Sequence, residues 1–199
     1  MTNSLTSVPD TAFLQPGDMP GPIKGSPLRL AMGEQPLPSF CGAAYDQHDR
    51  IAVRATFRLL YNSPGSAAES TPKAEVYEDI LVYREDAATV FLTALRAAVA
   101  GCASQTDDVG VRVVNVLRGA VEAGDESALI EQRRAATDEM GEPLGDGSEQ
   151  SMFWAAIRVA NAIAFLTVMG WETASADLGD TITLGQRAAD RLAAWRAHG

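Results

Sequence analysis

The sequence predicts an α+β fold: a twisted antiparallel sheet of about four to six strands, with two long helices packed on one face and an apolar cleft on the other. Two observations lead to this prediction. Several short segments either alternate apolar and polar side chains or are continuously apolar, which is typical of strands. Two longer segments repeat apolar residues every three or four positions, which is typical of amphipathic helices.

Composition limits the class of protein. The chain has 199 residues, 46% of them hydrophobic and 21% charged, as expected for one globular domain with a buried core. Its net charge of -10 and its single basic doublet, Arg133-Arg134, argue against nucleic acid as a partner, because phosphate binding needs clustered cations. No run of about 18 apolar residues is present, so we expect no membrane span.

Two regions differ in composition. Residues 1–40 are rich in Pro and Gly, which predicts an irregular arm lying over the core, with one short helical turn near Ala12. Residues 41–199 predict a single α+β domain. Its first strand covers residues 50–62, where apolar and polar side chains alternate cleanly.

A strand followed directly by a helix covers residues 75–102. The strand part is apolar on both faces, as in a strand covered on both sides. Asp86 is a natural N-cap, and the apolar residues that follow it recur at helical spacing up to Gly101.

The rest of the chain predicts three further strand regions and a helix. Residues 111–117 form a strand, and residues 126–136 are assigned to a strand although a helix is an alternative. Residues 151–170 predict two strands that turn near Ala160-Asn161, with a single buried helix as the alternative. Residues 176–197 predict the final helix, capped by Asp177 or Asp180.

No catalytic or metal-binding pattern is visible. With two histidines and two cysteines in the chain, we expect no metal site and no cofactor. Cys41 and Cys102 would form a disulfide in an exported protein and remain two buried thiols in a reducing cytosol. Five carboxylates on predicted strands could each face a cleft as a general acid, although a solvated strand face is the simpler interpretation: Glu75, Glu78, Asp79, Glu126 and Glu131.

A set of large side chains on the predicted strands suits either the core or an apolar pocket on an open sheet face. The candidate ligand-binding residues are Phe57, Tyr61, Tyr77, Tyr83, Met152, Trp154, Arg158, Phe165, Met169 and Trp171. Within this set, Tyr61, Tyr77 and Trp154 are candidate hydrogen-bond donors. Arg158 is either an ion-pair partner or a ligand anchor.

A series of short motifs resembles the extracytoplasmic sensor domain of the mycobacterial kinase PknH and related actinobacterial lipoproteins. The motifs follow the family's order over residues 12–195: FLQPGDMP at 13–20, LP at 37–38 before Cys41, VY at 82–83, ALR at 94–96 before Cys102, GDES at 124–127 and IRVAN at 157–161. The chain departs from the family at Ala160, where the family has Gly, in its smaller number of cysteines and in lacking an export signal.

The resemblance implies an α+β sheet with a wide cleft for an unidentified small ligand, and no catalytic residues. It therefore favours an extracytoplasmic ligand-binding domain. Because the sequence begins at Met1 without a signal peptide, we expect a cytoplasmic protein unless an upstream signal has been removed.

The cytoplasmic expectation leads to an enzyme hypothesis. An apolar pocket could close a ring in a polyene or polyketide substrate of actinobacterial secondary metabolism by proximity alone, as a cofactor-independent cyclase. The alternative is a sensor or lipoprotein domain without catalytic activity. Under either hypothesis the partner is an apolar small molecule, and a homodimer is left open.

Overall fold

One fully antiparallel sheet of eight strands forms the centre of the computed structural model, which describes residues 7–31, 36–67, 69–107, 110–138 and 140–198. The strands are β1 Leu28–Leu30, β2 Ile51–Tyr61, β3 Ala74–Tyr83, β4 Ser104–Thr106, β5 Arg112–Gly119, β6 Glu126–Ala135, β7 Glu149–Val159 and β8 Ala162–Gly170. The helices are α1 Ala87–Gly101 and α2 Leu178–His198, and short 3-10 turns complete the described elements.

The strand order is β1-β2-β3-β8-β7-β6-β5-β4. Each half of the sheet is therefore built from strands that are consecutive in the chain, and the halves meet along the seam between β3 and β8. At one end of this seam Ala74 pairs with Gly170, and at the other Val82 pairs with Ala162.

The predicted count of about four to six strands was wrong, because two three-residue strands form the edges of the sheet. β1 pairs only with the middle of β2, and β4 only with the first half of β5. Strands this short carry no alternation that a sequence pattern can show. The six longer strands lie where the sequence predicts them, so the strand assignments of residues 126–136 and 151–170 are confirmed.

The turn between β7 and β8 lies at Ala160-Asn161, as predicted. Ala160 has a φ of +53°, in the left-handed region that favours glycine. The side chain of Asp125 accepts a hydrogen bond from the Ala160 amide at 2.7 Å. An alanine therefore takes a conformation for which glycine, the residue of the resembled family, is better suited.

The two helices lie on opposite faces of the sheet, so the prediction of both helices on one face, with an apolar cleft on the other, was wrong. Residues of α1 pack in one core cluster with Leu81, Ile163 and Phe165. Residues of α2 pack in another with Val76 and Leu166. Strands β3 and β8 have buried apolar side chains on both faces because each face is covered by a helix.

The core beneath α1 is rich in aromatic side chains. Phe91 of α1 packs against Phe165 and Tyr83 with ring centroids 6.2 and 5.7 Å apart. Phe40, from the segment before β2, is fully buried and meets Trp154 edge-on at 5.6 Å. Burial of these rings contributes much of the hydrophobic stabilisation on this face.

A disulfide joins Cys41 to Cys102, which follows the last residue of α1. Beside it, Gln105 accepts a hydrogen bond from the Cys41 amide at 2.6 Å and donates one to the Ser39 carbonyl at 2.7 Å. The segment that carries Phe40 is therefore attached both covalently and by hydrogen bonds.

The first part of the N-terminal arm, residues 8–19, packs on the α2 face. Phe13 is fully buried and stacks on Phe57 with ring centroids 4.2 Å apart. The Leu14 amide donates a hydrogen bond of 2.7 Å to the carboxyl group of Glu78, which is completely buried in β3. The other oxygen of this carboxyl group, Oε1, has no hydrogen-bond partner among the described residues. Burial raises the pKa of Glu78 to about 8.

The simpler interpretation of the five candidate carboxylates, a solvated strand face, was wrong for Glu78. It was also wrong for two of the other four. Asp79 and Glu131 are 1% and 6% exposed. Asp79 accepts hydrogen bonds from Arg54 and Thr56, and Glu131 from Arg118 and Ser151. These partners compensate part of the cost of burying the charged groups.

Gly124 sits in a turn that leaves no room for a side chain. Its φ is +68°, and a Cβ there would lie 2.5 Å from the Arg158 carbonyl oxygen. We expect Gly124→Ala to lower the free energy of unfolding by about 2 kcal/mol, from steric overlap added to left-handed strain. Urea unfolding followed by tryptophan fluorescence measures this loss.

The matched control is Gly119→Ala. Gly119 also has a positive φ, +103°, but nothing lies within 4 Å of a Cβ there. This variant should lose only the strain component, about 1 kcal/mol. Equal losses for the two variants would mean that the backbone near Gly124 moves aside and that the close approach has no energetic role.

Candidate functional site

A cleft lies on the α1 face of the sheet, beyond the area that the helix covers. Side chains alternate between the two faces along each strand, so the residues next to the α1 core on the same face can be followed outward. In β3 they are Tyr77 and Glu75, and in β8 they are Thr167 and Met169. The cleft encloses about 290 Å³, near the lower end of the range for small-molecule sites.

Two rows of paired residues cross the strands at the cleft. In the first row, Glu75 pairs with Met169, Met169 with Met152, and Met152 with Gln132. In the second row, Gln150 pairs with Arg134, and Trp171 continues the chain past the end of β8. The complete lining comprises Glu75, Gln132, Arg134, Gln150, Ser151, Met152, Met169, Gly170, Trp171, Glu172 and Ala174.

Gln150 organises one end of the cleft. Its amide nitrogen donates to the backbone carbonyls of Glu172 and Ala174 at 3.1 and 2.9 Å, which holds the turn after β8 against β7. Its amide oxygen accepts a hydrogen bond of 3.2 Å from Nε of Arg134. Because all of its polar atoms are engaged, Gln150 fixes the guanidinium of Arg134 relative to this turn.

The opposite wall carries an ion pair. Glu75 accepts a hydrogen bond from Nε of Arg58 on the neighbouring strand, and Arg58 lies over the ring of Tyr77 at 5.9 Å. Hydrogen bonding to Glu75 raises the pKa of Arg58. Burial and the nearby Glu75 carboxylate raise the pKa of the Tyr77 hydroxyl. Glu75 is therefore already paired with a cation of the protein.

A second depression, of about 370 Å³, lies along residues 36–46 and includes Arg54. Its walls come mainly from this one loop, whereas the cleft is built on four paired strands. Arg54 is also bound to Asp79 at 2.8 Å. A site needs side chains held in fixed positions, so the cleft is the stronger candidate.

The aromatic residues that the sequence suggests for a single pocket lie in separate regions. Phe57 and Tyr61 belong to the α2 face, where Tyr61 donates a hydrogen bond of 2.8 Å to Asp180. Tyr83, Trp154 and Phe165 are at most 5% exposed and belong to the core beneath α1. They contribute to packing rather than to an open surface.

The other five members of the predicted set lie on the α1 face, in or beside the cleft or at the far end of β7. Met152, Met169 and Trp171 line the cleft, and Tyr77 lies beside it. Arg158 is at the other end of β7, where its guanidinium forms ion pairs with Asp125 at 3.2 Å and Glu126 at 3.6 Å. It therefore acts in the structure as an ion-pair partner.

Among the polar residues of the cleft, Glu75 was a candidate carboxylate, whereas the amide and guanidinium groups were not predicted. Gln132, Arg134 and Gln150 lie in continuously polar stretches of their strands, residues 131–134 and 149–151, and such stretches normally face solvent. Gln150 and Met152 share one face of β7, and only the pairing of β6 with β7 brings Gln132 and Arg134 beside them. Among the described residues no group of three or more potential metal ligands occurs, and the cleft lining contains no histidine or cysteine. The lining combines amide and guanidinium groups with apolar side chains.

Comparison with known proteins gives a relationship at the level of the fold. The chain resembles the extracellular domain of PknH from Mycobacterium tuberculosis, with a TM-score of 0.51 and 12% sequence identity, over 88% of this chain and 84% of that one. No family model and no curated protein matches the sequence. The comparison thus supports the similarity suggested by the short motifs at the level of a distantly related fold.

In the part of the chain that the structure describes, neither α1 nor α2 has both the length and the apolar character needed to span a bilayer.

Proposed function

We propose that this protein is an extracytoplasmic domain that binds a small molecule, without catalytic activity, and that the cleft beside α1 is its binding site. The observation that carries the proposal is the cleft itself, where Met152, Met169 and Trp171 meet fixed polar groups on a rigid sheet. Small-molecule sites commonly combine an apolar lining with a few oriented polar groups.

Two further observations favour an extracytoplasmic location. The Cys41–Cys102 disulfide belongs to a class of bond that persists mainly in oxidising compartments. The fold is also similar to that of a domain described as extracellular. A binding domain is favoured over a cyclase because the aromatic side chains on which the cyclase hypothesis depended are divided between two buried cores and the cleft.

The test combines ligand capture with a variant that fills the cleft. The protein is incubated with extracts of its source cells, separated from unbound material, and denatured, and the released compounds are identified by mass spectrometry. We expect one compound to be retained and released unchanged. Met152→Trp, which places an indole in a cavity of about 290 Å³, should reduce its retention at least tenfold.

The matched control is Val90→Trp, which adds the same side chain at an exposed position of α1. It should retain the compound as the unaltered protein does. Conversion of a compound into a product of identical mass would support the cyclase hypothesis instead. Retention that is unaffected by Met152→Trp would place the binding site elsewhere.

A further inference from the structure

The basic doublet of the sequence, Arg133-Arg134, is divided by the pleat of β6. Consecutive side chains of a strand point to opposite faces. Arg133 lies on the α2 face and forms an ion pair of 2.9 Å with Glu149. Arg134 faces the cleft, and among the described residues its guanidinium forms a hydrogen bond only to the neutral Gln150. One of the two arginines is thus compensated by a carboxylate and the other is not.

Arg134 is an exposed residue, and one hydrogen bond from its Nε orients its guanidinium. Its Nε is engaged by Gln150, which in turn is bound to the backbone of Glu172 and Ala174. This leaves the two terminal nitrogens to donate outward. A guanidinium presents paired donors that match the two oxygens of a carboxylate, and holding it in place reduces the entropy lost on binding.

The carboxylates of the cleft do not cancel the preference of Arg134 for a carboxylate ligand. Glu75 is 13% exposed and is paired with Arg58, so its charge is balanced within the wall. Arg134 is itself exposed, so water screens its charge, and Glu172 in the turn after β8 is screened in the same way. Its presence still disfavours a ligand with two negative charges, such as a phosphate monoester.

We infer that the cleft binds a small monocarboxylate with an apolar body, the carboxylate bound by Arg134 and the body packed against Met152, Met169 and Trp171. This inference rests on the proposed function and adds the chemical class of the ligand. A water molecule occupies about 30 Å³ in the liquid, so the cleft holds on the order of ten non-hydrogen atoms. A saturated chain of about eight carbons with one carboxylate has this size.

The experiment compares three probes of matched length: octanoate, octylamine and octanol. Binding is followed by the NMR signals of carbon-13-labelled methionine methyl groups, since Met152 and Met169 line the cleft. We expect octanoate to shift both signals with at least tenfold higher affinity than the other two probes. Arg134→Gln should lower the affinity for octanoate about tenfold and leave that for octanol unchanged.

Arg133→Gln is the matched control, because it removes the same charge from the opposite face and should not change the affinity for octanoate. Glu172→Gln should raise it about twofold. If octanol or octylamine binds as tightly as octanoate, the inference about charge is overturned while the cleft remains a binding site. If none of the probes shifts the two methyl signals, the inference of a carboxylate with an apolar chain is overturned, and capture of a different compound by the unaltered protein but not by Met152→Trp would still support the proposed function.

Discussion

Replacing both Cys41 and Cys102 with serine is expected to lower the free energy of unfolding by about 4 kcal/mol. The disulfide closes a loop with a sequence separation of 61, and without it the unfolded chain gains conformational entropy. We also expect the segment that carries Phe40 to loosen, because this fully buried ring lies next to the bond. Denaturant unfolding of the double variant at neutral pH measures the loss.

Gln105→Ala separates the covalent link from the hydrogen bonds beside it. Gln105 contacts the same segment through Cys41 and Ser39 at an exposed position, so its removal should cost about 1 kcal/mol or less. Reduction of the unaltered protein should reproduce the double variant. An unchanged midpoint after complete reduction would show that the link does not constrain the unfolded chain.

Glu78→Gln is expected to stabilise the protein at neutral pH by about 3 kcal/mol, the free energy that corresponds to raising the pKa of this carboxyl from 4.5 to about 8 at pH 7. Below pH 4.5 the group is protonated in the folded and unfolded states alike, and its burial carries no ionisation cost. As the pH rises towards 8, only the unfolded state releases the proton, so the folded state loses stability. Glutamine can still accept the hydrogen bond from Leu14.

The charged groups around Glu78 act on its pKa in both directions. Burial is the largest cause of the increase, and the nearby carboxylates of Asp18 and Asp79 add to it. The Leu14 amide and Arg191 oppose it, the latter while paired with Asp18 at 2.8 Å. Unfolding measured from pH 5 to pH 8 should show a smaller loss of stability with rising pH in Glu78→Gln than in the unaltered protein.

Glu75→Gln provides the comparison, because Glu75 lies on the same strand and is paired with Arg58. Removing its charge should slightly destabilise the protein and should leave the slope between pH 5 and pH 8 unchanged. Parallel pH profiles for Glu78→Gln and the unaltered protein would contradict titration of Glu78 in this range.

Local patterns predicted the long strands and both helices, because each depends on residues that are close in the sequence. Even the covering of both sheet faces was visible in residues 75–83, whose apolar side chains point both ways. The side on which each helix packs was not predictable, since one apolar stripe fits either face. The edge strands β1 and β4 were missed because they are defined by their neighbours.

The candidate site was predicted only in part, for a related reason. Met152, Met169 and Trp171 were identified by residue type, but so were Tyr83 and Phe165, which are buried under α1. Whether a side chain on this face lines the cleft or belongs to the core depends on where α1 ends over the sheet, and residue type alone does not show this. Arg134 was noted only as half of a basic doublet, because its position beside Met152 depends on the pairing of distant strands.

The seam between β3 and β8 has a kinetic consequence. It joins residues as distant as Ala74 and Gly170, so a large loss of chain entropy precedes these contacts, and we expect folding to be slow for a chain of this size. The cleft spans the seam, with Glu75 on one side and Met169 on the other. Its complete lining exists only after the two halves of the sheet have docked. A bound ligand should therefore act mainly by delaying the separation of these halves, lengthening the lifetime of the native protein without hastening its formation.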